Sequence, residues 1–151
     1  MRRRIITFVI SFVIASALHA GWLQLAAREL YRRGIPGFDA GPLSIGILLA
    51  MMGVFAVGLT LFVFEPTRKD ETWTRALALG AAYGLVVFGF ANLRNALQIT
   101  DWQFGISLID AIWGTVLATA TVALTRLAWE KIEEKKHDRT RRAKPSRPAP
   151  R

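Results

Sequence analysis

Between Leu43 and Phe64 the chain runs for 22 residues without one charged side chain. A bilayer's hydrocarbon core takes about 20 helical residues to cross, and this stretch meets that length. It also lacks the polar stripe, recurring every three or four residues, that a helix on the surface of a soluble bundle shows. A membrane span is therefore the reading that this segment imposes on the rest.

Three further stretches fit the same description: Ile5 to about Ala27, Ala76 to about Gln98, and Phe104 to Leu127. The connections Arg28–Pro42, Glu65–Arg75 and Ile99–Gln103 are short. Short connections make sequence neighbours pack antiparallel, so the expected fold is all-α: an up-down four-helix transmembrane bundle over residues 1–128. Residues 129–151 form a basic tail. Its first part, Ala128–Asp138, continues as a charged helix, and the stretch from Arg139 on, with Pro145, Pro148 and Pro150, reads as disordered. Arg2, Arg3 and Arg4 followed by Ile5–Ala17 imitate a signal peptide, but the apolar pattern resumes past His19, so an uncleaved first span is expected.

Composition enters at the question of orientation. The chain has a net charge of +9 although 52% of it is hydrophobic. From Arg126 onward there are 10 Lys/Arg against 4 Asp/Glu. One side of the bundle carries Arg2–Arg4, Arg68, Lys69, Arg75 and the tail; the other carries Arg28, Arg32 and Arg33. The positive-inside rule then places both termini in the cytoplasm. Trp73, Trp102 and Trp129 stand at span ends, where an indole has one apolar and one wet side. Pro36 and Pro42, with Gly34, Gly37 and Gly41, break the first outer connection, and Pro66 follows the second span. Gly80 and Gly84 form one GxxxG, a packing motif, with Gly53 and Gly58 as further small residues. The tail is expected to lie against anionic lipid or to act only as a topology anchor. Nucleic acid is a poor partner because no aromatics interleave the charges.

Ionisable and amide groups inside a span are costly, which makes each a functional-site hypothesis. His19, Asn92, Arg94, Asn95 and Asp110 qualify. At about 1.5 Å per residue, His19 lies roughly 12 Å from the outer end of its helix, Asn92 and Asp110 about 9 Å, and Asn95 near 5 Å. Antiparallel packing gathers them in the outer half of the bundle. His19 and Trp22 share a helix face, as do Asn92 and Asn95, and Asp110 and Trp113. Trp22 and Trp113 are then apolar walls of the cluster. Arg94 sits off the Asn92 face and either pairs with Asp110 from the bundle edge or snorkels outward, the ion pair being the expectation.

The chemistry open to this cluster is limited. There is no cysteine, and one His, one Asp and two amides are a poor metal set, so neither metal nor cofactor is expected. Haem held by two histidines would need a dimer sharing His19. Ser107, His19 and Asp110 contain the residue types of a hydrolytic triad without any spacing that fixes their geometry. A proton path through His19 and Asp110 is chemically allowed.

The segments "HAGWL" with Tyr31 following, "FVFEP", "ALALGAAYGL", "NLRNAL", Trp102 and "LIDAIWGT" carry a resemblance over roughly residues 10–127. The sequence resembles the small four-span bacterial membrane proteins grouped as domain of unknown function family 2177. The resemblance implies a bacterial cytoplasmic (inner) membrane protein with a carboxylate-rich cluster, one aspartate on each of three spans. Asp110, Trp113, Gly114 and Asn95 fit that pattern. His19 and Asn92 stand where it has aspartate, and Arg94 where it has threonine. The functional expectation is a membrane protein that binds or conducts a small polar ligand or ion through the cluster, as a homo-oligomer if it transports. The alternatives are a membrane-embedded enzyme acting on a lipid or small molecule, and a structural or accessory subunit.

Overall fold

The computed structural model describes residues 2–35, 44–70, 72–100 and 102–142. Four helices account for nearly all of them: α1 Arg2–Gly34, α2 Ile45–Phe64, α3 Thr74–Gln98 and α4 Phe104–Arg142. Each contains a stretch long and apolar enough to cross a membrane. The Pro36–Pro42 connection and the chain beyond Arg142 lie outside the described residues.

The helix limits follow from local sequence. Nothing between Arg2 and Arg33 breaks a helix, and α1 continues past the expected span end near Ala27 to Gly34. Ile35 then turns extended (φ −126°, ψ 111°), as a residue preceding proline must to avoid the proline ring. The Ser44 hydroxyl caps α2 by accepting from the Ile47 N–H at 3.4 Å. Pro66, two residues past the end of α2, cannot continue its ladder. The last helix runs 39 residues, about 58 Å. It stays helical through Arg139–Arg142, where the sequence reads as disordered.

Two helices contain a π-helical turn, Leu23–Ala27 in α1 and Thr60–Phe64 in α2. The wider turn is visible at the exit of α2, where the Glu65 N–H reaches the Thr60 carbonyl five residues back. A π turn holds one residue more than an α turn, so it shifts the phase of everything after it by about 100°. In α1 this matters. His19 and Tyr31 are twelve residues apart, which in a regular α-helix sets them about 120° out of phase. With one residue absorbed by the turn they fall within about 20° of each other.

The helices run alternately up and down. At one end, here the tail end, Arg4 pairs with Glu65 and Trp73 reaches Glu130. At the other, the far end, Gly34 of α1 packs on Ile106 of α4. α3 and α4 are the most closely joined pair. A Cβ on Gly84 would collide with the Gly114 carbonyl, and one on Gly80 would sit 3.0 Å from Val122. The GxxxG is thus consumed inside the bundle. Gly58 makes room for the Tyr83 ring, whose hydroxyl donates to the Phe55 carbonyl at 3.2 Å and so links α3 to α2. Gly53 has only Phe12 nearby, at 4.0 Å.

Burial has the pattern expected of a protein in lipid. Ser11, Thr121 and Thr125 are sealed in the interior while Val86, Phe90, Leu97 and Phe62 face outward. Small hydroxyl residues allow close helix approach, and large aliphatic ones meet acyl chains without cost. Met52, Leu59, Val63, Leu117 and Val122 fill the centre.

Candidate functional site

The cluster lies in the far half of the bundle, in two linked parts. In the deeper part the Trp113 indole donates to His19 Nδ1 at 3.1 Å. An imidazole nitrogen that accepts must be bare, so neutral His19 carries its proton on Nε2. Trp22, one turn on from His19, stacks on Trp113 with centroids 4.7 Å apart and planes 10° from parallel. Phe88 meets the imidazole edge-on at 5.7 Å. Three helices therefore hold one histidine, which is 6% exposed.

The second part is centred on Asp110, one turn nearer the far end. The Tyr31 hydroxyl donates to its Oδ2. Tyr31 gets there because the π turn returns it to the His19 face and because α1 extends two turns beyond Ala27. Asn92, 3% exposed, donates through Nδ2 to the Phe88 carbonyl at 2.9 Å. That bond ties the two parts together, since Phe88 contacts His19. The Asn92 carbonyl oxygen, Oδ1, is buried without a hydrogen-bond partner.

A groove of about 300 Å³ runs to Asn92 between α3 and α4. Its walls are mostly apolar, from Gly89, Leu93, Phe104, Leu108 and Ala111. Ser107 and Trp102 also line it, with the Trp102 indole donating to the Ser107 hydroxyl at 2.7 Å. The groove reaches Asn92 and stops short of Asp110 itself.

The sequence-derived residues divide accordingly. His19, Asn92, Asp110, Trp22 and Trp113 come together. Asn95 is half-buried and gives its backbone carbonyl to the Ile99 N–H that closes α3. Arg94 is exposed and does not pair with Asp110. The expected ion pair is replaced by a hydrogen bond from Tyr31, because the 200° or so between Asn92 and Arg94 turns the guanidinium outward. Tyr31 and Phe88 are the members that sequence reasoning missed. Ser107, His19 and Asp110 each bond to a different aromatic residue, Trp102, Trp113 and Tyr31, and not to one another, so the triad is not assembled. Among the described residues no group of three or more His, Cys, Asp or Glu is placed to hold a metal.

Four apolar helices, small hydroxyls inside and large aliphatics outside define an α-helical integral membrane protein built as an antiparallel bundle. The model of the DUF2177 family, predicted membrane proteins, matches residues 4–127, and the chain belongs to that family. No curated protein and no solved structure matches it.

Proposed function

We propose that the far-end cluster binds a small amphiphilic ligand whose hydroxyl or amine head donates a hydrogen bond to Asn92. The observation that carries this reading is the Asn92 Oδ1 atom, a buried acceptor without a partner on a residue that lines the groove. A buried acceptor left unmade costs about 1–3 kcal/mol, which a donor brought by a ligand recovers. The apolar walls suit a hydrocarbon body, and both walls come from α3 and α4, so the ligand enters from the side. Binding is favoured over conduction. The Trp113 indole occupies His19 Nδ1 and holds an N–H that does not exchange protons readily, so a proton relay from His19 to Asp110 is interrupted.

The test uses the five-tryptophan chain as its own reporter, since Trp102 lines the groove. A brominated fatty alcohol should quench its fluorescence at lower concentration than a brominated alkane of equal length. Asn92→Leu should erase that preference. Equal quenching by alcohol and alkane in the native protein overturns the reading. Asp110→Asn should still fold, because an amide oxygen can accept from Tyr31.

A second reading, a purely structural network, is favoured by the internal pairing of His19, Tyr31 and the Asn92 Nδ2 atom. It predicts that Asn92→Leu fails to accumulate as folded protein. The bundle sits, on this proposal, in a bacterial inner membrane with both termini cytoplasmic. The support is the excess of Lys/Arg at the tail end. At the far end Glu29 holds both Arg32 and Arg33. A reporter fused after Arg151 should be active only in its cytoplasmic form.

A further inference from the structure

At the tail end α1, α2 and α4 part around a second cavity, of about 190 Å³. A void of ~150 Å³ is enough to take up a benzene molecule, so this one accommodates a group of several heavy atoms. Unlike the far-end groove it is lined by polar side chains, and some of those have no partner. Thr125 is 2% exposed and its hydroxyl makes no hydrogen bond. Thr115, Thr119 and Thr121 of the same helix all donate to the carbonyl four residues back. The Trp129 indole N–H and one Asp70 carboxylate oxygen are also buried without a hydrogen bond. Arg75 forms an ion pair with that oxygen at 3.7 Å, too long for a hydrogen bond. A donor, a hydroxyl and an acceptor are therefore left over around one space.

The charges around it sort by whether they are already engaged. Arg126 donates to the carbonyls of Thr67, Asp70 and Thr72. Glu65 is held by Arg4, and Glu130 by the Trp73 indole. That leaves Arg3, whose guanidinium lies 5.0 Å above the Trp129 ring, and Arg68, with Asp70 and Glu133 as the further carboxylates of the lining. A plain anion would meet the carboxylates and a plain cation the guanidinium groups. A ligand carrying both signs suits the site.

We propose that this cavity binds a phosphoethanolamine group. The phosphate oxygens accept from the Trp129 indole, the Thr125 hydroxyl and Arg3, and the ammonium lies against Asp70. Trp73 and Trp129 place the cavity at the level where indoles meet lipid head groups, so the group is the head of a phospholipid or its soluble counterpart. This site is independent of the far-end cluster.

The test is native mass spectrometry of the full chain in detergent, exposed to phosphatidylethanolamine or to phosphatidylglycerol of matched acyl chains. Retention should favour phosphatidylethanolamine, and Thr125→Val and Trp129→Phe should each weaken it by about tenfold. Thr125→Val is nearly isosteric, so it remains informative if Trp129→Phe folds poorly. Displacement by soluble phosphoethanolamine identifies the head group alone as the ligand; retention that resists it assigns the site to the intact lipid. Equal retention of the two lipids, or undiminished retention by Thr125→Val, overturns the proposal. Asn92→Leu should leave retention unchanged, which separates this result from the one at the far end.

Discussion

The tail end of the bundle is tied together by guanidinium groups and the far-end cluster by uncharged donors and stacked rings. At the tail end Arg4 reaches Glu65 at 2.8 Å and Arg126 donates to three loop carbonyls. At the far end Trp113 donates to His19, Tyr31 donates to Asp110, and two indoles stack. The contrast follows from depth. Arg4 is largely exposed, where water and head groups screen a charge and a lost pair costs little. Asp110 is 6% exposed and sits within an apolar span, where an unmade hydrogen bond is expensive. The deep end should therefore be brittle and the charged end tolerant.

The largest effect should come from the middle, where both ends depend on one helix contact. Gly84→Ala drives a Cβ into the Gly114 carbonyl and should destabilise the protein by about 1–3 kcal/mol or more. Gly21→Ala, with nothing within 4 Å, should be close to neutral. Thermal unfolding in detergent separates the two. Tyr31→Phe comes next, at about 1–3 kcal/mol, because it strips a buried carboxylate of its hydroxyl donor. Arg126→Lys should cost less, about 1 kcal/mol, since a single ammonium cannot reach three carbonyls in the fork geometry of a guanidinium. If Arg126→Lys proves more damaging than Tyr31→Phe, the contrast between a brittle and a tolerant end fails.

The smallest effect should be electrostatic. The Arg4 guanidinium, by hydrogen bond and then by charge, holds the Glu65 carboxyl below the usual carboxylate range. A group whose pKa is lowered on folding stabilises the fold above its ordinary pKa, about 4.3 for glutamate. That contribution is lost as pH falls through the lowered value. Melting temperature should thus dip slightly on acidification below that range, and Glu65→Gln should remove this part of the dip.

The sequence made the membrane fold legible because 20-odd apolar residues leave a helix in lipid few alternatives. It also exposed His19, Asn92 and Asp110, since polar groups stand out against such a background. Tyr31 stayed hidden for two reasons. It lies where charged residues signalled a loop, and in a regular helix it faces away from His19. The extension of α1 to Gly34 and the π turn at Leu23–Ala27 both had to be known. Arg94 misled because a cation near a carboxylate suggests a pair, whereas helix phase settles where it points. The tail-end cavity was not visible, because threonines in a span ordinarily bond to their own backbone and nothing in the sequence marks Thr125 as different.

The π turn of α1 makes the far-end cluster depend on chain length as well as on residue type. Side-chain substitutions can retune the far-end cluster but cannot decide whether Tyr31 belongs to it, because membership is set by counting residues. Deleting Leu25, which is 87% exposed and touches little, would let the turn relax to a regular one. His19 and Tyr31 would then stand eleven residues apart in a regular helix, still within about 20° of each other. Deleting a residue between Ala27 and Tyr31 with the π turn kept would instead rotate Tyr31 by about 100°, and Asp110 would lose its hydroxyl donor though neither residue had been altered. In that sense the helix carries a length-coded setting beside its chemical one.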